Sequence, residues 1–231
     1  MLSKIKLEID NGNIIDIFPK INSRSKNIKI TVSCNKKIQL IIPSRISYKS
    51  ALEFLLRNKI WVVNKLANMP ENITITDGSK ITILGEELYV HYTNELRGYT
   101  NIEGNQIKIS GDAQLIFSKL VLFIKNMLKK EIEDYALKIA DNLGVKYSKI
   151  SIKDTTTRWG SCSSDGNLSF SWRLALSPRF VMQYVVVHEI CHLVEFNHSK
   201  KFWDLVASVF PDYKTAIKFL KYNGKILHSY M

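Results

Sequence analysis

Cysteine, proline and glycine are all scarce in this 231-residue chain, at three, five and ten. The cysteines, Cys34, Cys162 and Cys191, form no C-x-x-C pair. That excludes a disulfide-built fold and suits a reducing, cytoplasmic compartment. Long apolar runs are missing too. Lys119 and Lys125 interrupt the stretch from Leu115 to Leu128, well short of the roughly 20 apolar residues of a membrane span. Lys4, Lys6, Glu8 and Asp10 break the opening where an export signal needs an apolar core, so none is expected. Acidic residues are outnumbered, 21 to 33 basic, leaving a formal charge of +12. Such a balance draws anionic partners such as nucleotides, nucleic acid or acidic surfaces. No RNA-binding aromatic motif or glycine-rich phosphate loop accompanies it.

With 45% hydrophobic residues the chain has enough apolar material for one large or two small domains. Short β-like runs dominate the first hundred residues: 14–18, 28–32, 38–42, 73–76, 81–84, 88–92 and 107–109. One helix interrupts them. It is expected to open at a capping box from Ser50 to Glu53 and to stop before Pro70. From Asp112 the apolar period becomes helical and continues to Gly144, an expected C-terminal stop. The sequence therefore predicts an α+β protein, with a β-rich domain over 1–110 and a catalytic α+β domain over 111–231. In the second, residues 149–153 read as a strand and Asp165-Gly166 as a hairpin turn. Ser177-Pro178 announces a helix, Ser199 caps another to Phe210, and Pro211 begins the last.

The chemistry lies in VVVHEICHLVEFNH. His188 and His192 stand four residues apart, so a helix stacks their imidazoles on one face as two ligands of one ion. Glu189 is rotated off that axis and is placed to act as base toward a water at the ion. A third ligand must come from chain that turns back, because a helix climbs about 1.5 Å per residue away from the ion. His198 is that candidate, reached through a left-handed Asn197, while Glu195 is left to the surroundings or to solvent. Three imidazoles and a water make an open, catalytic zinc site. Cys191 points away from the histidine axis and reads as core. Cys162 sits in a polar loop with Ser161, itself a candidate substrate-binding residue.

RWGSCSS at 158–164, NLSFSWRLAL at 167–176, VVVHEICHLVEFNHSKKFW at 185–203 and PDY at 211–213 together resemble the YgjP-like metallopeptidase family of zincin-type proteins. SRSKNIKITVSCNKKIQLIIP near the start resembles the β-rich beginning of that family. The resemblance implies a minimal zincin-like domain, with His188, His192 and His198 as Zn2+ ligands and Glu189 as catalytic base. The spacing from His188 to His198 equals that of metzincins, but Glu195 replaces their bend glycine and no Met-turn follows. A relative is described as a nucleoside triphosphate pyrophosphatase acting on UTP, so two reactions stand side by side. A peptidase needs an edge strand to align its peptide or protein substrate, for which 167–176 is the candidate. A nucleotide pyrophosphatase needs cations for phosphates and a ring for the base: Arg158, Arg173, Lys200, Lys201 and Trp159. A nucleic-acid-associated protease of SprT type is the third reading, and the oligomeric state is left open.

Overall fold

The computed structural model describes residues 3–9, 12–33, 36–95 and 98–230, which leaves Cys34 outside the described residues. Contacts divide the chain into two compact units, Met1–Asn72 and Ile73–Met231.

The first unit holds β1 (Ile5–Glu8), β2 (Ile14–Asn22), β3 (Lys29–Val32) and β4 (Ile38–Pro43), then α1 (Tyr48–Arg57) and α2 (Lys59–Ala67). The sheet runs β1-β2-β4-β3, with β2 and β4 parallel and the outer pairs antiparallel. Strand side chains alternate between faces, so Leu7, Ile17, Ile38, Leu40 and Ile42 share one face. There they pack with Ala51, Leu55 and Val62 from the helices. The single expected helix is in fact two. Its start lies before the proposed box, because the Ser47 hydroxyl already accepts the Ser50 N–H at 3.1 Å. It breaks at Asn58, whose side-chain amide donates to the Phe54 carbonyl at 2.8 Å and competes with the helical ladder.

The second unit begins with β5 (Lys80–Ile83), β6 (Glu86–Thr93), β7 (Thr100–Glu103) and β8 (Gln106–Ser110), in the order β5-β6-β8-β7. The run 73–76 is not a strand; Ile73 makes one bridge, to Tyr230. Helix α3 (Ile116–Leu143) follows and ends at a left-handed Gly144. It buries Leu120, Ile124, Leu128, Ile132 and Ala136, one residue per turn. Ile81, Val90, Ile107 and Ile109 belong to the same core as that stripe. The boundary expected near residue 110 therefore falls inside the second unit.

A third sheet contains β9 (Lys149–Lys153), β10 (Gly160–Cys162) and β11 (Asn167–Ser171), in the order β10-β11-β9. β11 was expected at the edge but lies in the middle, antiparallel to β10 and parallel to β9. The free edge beyond it belongs to β10. Residues Trp172–Leu176 leave the sheet as a short 3₁₀ segment, closed by the Ser177 hydroxyl donating to the Leu174 carbonyl at 2.7 Å. Ser177 is thus spent on the segment before it and does not cap the next helix. Then come α4 (Arg179–Cys191), α5 (Lys200–Val209) and α6 (Tyr213–Leu227), the last opening after Asp212 and not at Pro211. The fold is α+β, with a β-rich N-terminal region as expected. Among the described residues, no helix is long and apolar enough to cross a membrane.

Candidate metal centre

Helix α4 is anchored by fully or nearly fully buried Val185, Val186, Val187 and Ile190, which hold its polar face in a fixed position. His188 lies on that face, and His192 directly follows the helix with its backbone still helical. The chain then folds back tightly. The N–H groups of Val194 and Glu195 both reach the Cys191 carbonyl, and the Ser199 N–H reaches the Asn197 carbonyl at 2.8 Å. That last turn is centred on His198, so no left-handed Asn197 is needed. Lys36 and Leu84 are the non-glycine residues with positive φ among those described. Ser199 next caps α5 as expected, accepting the Phe202 N–H. One ring nitrogen from each of His188, His192 and His198 comes within 4.8 Å of the others. The Nε2 atoms of His188 and His198 are 3.0 Å apart.

Hydrogen bonds behind the rings select which nitrogen faces inward. His192 Nδ1 donates to the Glu195 carbonyl at 3.1 Å, leaving Nε2 as its free lone pair. The Tyr184 hydroxyl lies 3.4 Å from His188 Nδ1. Phe202 stacks on His192 with ring centroids 4.5 Å apart, and Trp203 packs beside His188 and His198. Burial pushes the His188 pKa down to about 3, with His192 and His198 adding to the effect. Burial lowers that of His192 as well. Three imidazoles with converging ring nitrogens fit a borderline divalent ion and suit magnesium or calcium poorly.

Glu189 is 5% exposed. Burial raises its pKa to about 7, against the opposing pull of Arg158 and of the Cys162 N–H. Its side chain lies on Gly160, where a β-carbon would meet Oε1 at 2.5 Å. In the antiparallel ladder, Ser171 N–H bonds the Trp159 carbonyl and Ser163 N–H bonds the Asn167 carbonyl. Odd-numbered residues of this run thus face β11, while Gly160 and Cys162 turn their N–H and C=O groups outward. The open edge of β10 and the Glu189 carboxylate therefore adjoin.

A family model described as YgjP-like, metallopeptidase domain matches residues 26–223. The chain belongs to the YgjP-like family. Membership carries a metal-dependent, peptidase-type hydrolase on a zincin-like α+β domain. Among solved structures, the metallopeptidase zymogen of Pyrococcus abyssi abylysin is 26% identical, with a TM-score of 0.35, over 39% of this chain and 92% of that one. Among curated proteins none matches.

Not all of the residues singled out from the sequence reach the centre of this YgjP-like site. Arg158 does; it is exposed and acts electrostatically on Glu189. Ser161 lies on β10 opposite Ser169, between the two residues that touch Glu189. Trp159 stacks on His228 with centroids 4.8 Å apart and packs on Gly224, so its ring is already engaged. Arg173, expected to face phosphates, is 8% exposed, ion-paired with Asp154 and 4.7 Å over the Trp172 ring. It braces the 3₁₀ segment. Lys200 pairs with Asp204 one turn on. Cys191 is fully buried with its thiol pushed up to about 12, as a core cysteine should be. Glu195 contributes its carbonyl through the bond to His192. Sequence reasoning missed Tyr184, Gly160, Phe202 and Trp203. Only Tyr184 carried a signal, standing one helical turn before His188.

Proposed function

We propose that this protein is a zinc-dependent peptidase in which His188, His192 and His198 hold the ion and Glu189 is the general base. The observation that carries this reading is the buried Glu189 carboxylate, lying against the open edge of β10 and next in sequence to His188 of the three-imidazole cluster. When bound, zinc lowers the pKa of a water and polarises a carbonyl. The remaining work belongs to the chain. The outward N–H and C=O of Gly160 pair with an extended peptide and hold its scissile bond beside α4. Glu189, whose proton affinity lies near neutrality, takes the proton of the attacking water and delivers it to the departing amine. Arg158 favours the charged, proton-accepting form of that carboxylate, and the walls of Phe202 and Trp203 exclude bulk water. The substrate is an extended or unfolded polypeptide, met in a reducing, cytoplasmic setting.

A nucleotide substrate loses its support once Arg173 is committed to Asp154 and Trp159 to His228. The deciding experiment incubates zinc-loaded full chain in parallel with an unfolded protein and with UTP. Cleavage of polypeptide bonds is expected. Rapid UTP hydrolysis without proteolysis would overturn the peptidase assignment.

A further inference from the structure

The basic excess of the chain is concentrated in one place. Residues 1–72 carry 13 Lys and Arg against 5 Asp and Glu, so +8 of the total +12 falls in under a third of the length. The sheet of this unit is covered by α1 and α2 on one face only. Phe18, Lys20, Lys29, Thr31 and Ile41 belong to the opposite face by strand alternation, and neither Phe18 nor Ile41 takes part in the unit's core.

Register arranges this face closely. Lys20 pairs with Ile41, which pairs with Lys29, so two exposed lysines flank an isoleucine across three strands, the outer two about 10 Å apart. The next row, about 7 Å along the strands, is Phe18, Gln39 and Thr31. Lys37 lies over the Phe18 ring at 4.8 Å and Lys4 at 5.9 Å. At the end of the sheet nearest Lys20 and Lys29, Arg24, Lys26 and Arg45 extend the cationic track, the Arg45 guanidinium bonding the Lys26 carbonyl at 3.0 Å. Among the described residues two carboxylates belong to this face: Asp16 is neutralised by Lys4, and Glu8 lies on the outermost strand.

We infer that the helix-free sheet face of residues 3–72 binds single-stranded nucleic acid, with Phe18 offering a ring for base stacking and Lys20, Lys29 and their neighbours contacting phosphates. A cationic groove with an aromatic platform suits a strand whose bases are unpaired. A duplex would instead ask for a helix or ribbon to enter its groove. An acidic peptide would meet the charges but leave the ring without a stacking partner. This surface lies in a different unit from the metal centre, so the inference stands apart from the peptidase reading.

Fluorescence anisotropy of the full chain with labelled 12-nucleotide oligouridine and oligothymidine tests it, alongside the corresponding duplex and phosphatidylserine vesicles. Single strands should bind, with affinity falling steeply as salt rises; tighter RNA or tighter DNA binding then identifies the source. The K20E/K29E double variant alters exposed side chains only. It should weaken binding at least about tenfold and reduce the log–log salt slope by about 1.4. Phe18→Ala should weaken binding about five- to a hundred-fold with the salt slope preserved. Circular dichroism of both variants should match the parent. Absence of binding at low salt, preference for the duplex, retention by vesicles alone, or K20E/K29E binding like the parent would each overturn the inference.

Discussion

The Glu189 carboxylate rests directly against the α-carbon of Gly160, close enough that a methyl group there would come within 2.5 Å of Oε1 and 2.6 Å of Cγ. A strand glycine usually weakens a sheet; this one makes room for the Glu189 side chain. Gly160→Ala is expected to push Glu189 aside, lowering kcat about a hundredfold while metal content stays at the parental level. Metal analysis beside steady-state peptide hydrolysis checks it, and an unchanged kcat would show that the contact is dispensable.

The three imidazoles should act as one ligand set. His188→Ala, His192→Ala and His198→Ala are each expected to abolish stoichiometric zinc and to bring the Tm of the zinc-treated protein down to that of the chelated parent. Elemental analysis and thermal melts with and without chelator measure both effects. A variant that keeps full zinc would remove that histidine from the set.

Tyr184 stands behind His188, its hydroxyl 3.4 Å from Nδ1. Tyr184→Phe keeps the ring and removes that partner, so zinc affinity should fall about 10- to 100-fold with the fold intact. Competition with a chromophoric chelator reads it out, and unaltered affinity would leave Tyr184 a packing residue.

How legible the molecule was depended on the range of the interaction. The H-E-x-x-H spacing, the α3 stripe closed by Gly144 and the Asp165-Gly166 hairpin are local patterns, and all appear where the sequence places them. The pairing of β11 with β9 is not local: β11 has the composition of an edge candidate, yet it lies in the middle because a parallel partner, Lys149 against Asn167, comes from before the hairpin. Arg173 reads as a surface cation until Asp154, 19 positions earlier, is seen to hold it. The break at Asn58 came from a side chain competing with the backbone inside an otherwise continuous periodic run. The packing of Gly160 on Glu189 joins residues 29 apart in sequence, beyond what periodicity detects.

The buried Glu189 and the half-buried His188 should give the metal-free protein opposing pH responses. Glu189 has its pKa raised from 4.5 to about 7, so its contribution to stability is fully present below pH 4.5 and lost as pH rises through 7. His188 is lowered from 6.5 to about 3, so its contribution is present above pH 6.5 and lost as pH falls toward 3. Glu189→Gln removes the first slope alone. Relative to the parent, the variant apoprotein should gain on the order of 3 kcal/mol between pH 4.5 and 8. Urea unfolding at the two pH values gives the difference; equal differences would mean that Glu189 is ionised in the fold.

Glu189→Gln in the zinc-loaded protein tests the central claim most directly, because the amide keeps the shape of the side chain and cannot accept a proton. Cleavage of an unfolded protein substrate should fall by at least about a hundredfold, with zinc content and melting profile retained. Parental cleavage rates from a fully zinc-loaded Glu189→Gln variant would contradict the assignment of Glu189 as the base of a metal-dependent peptidase.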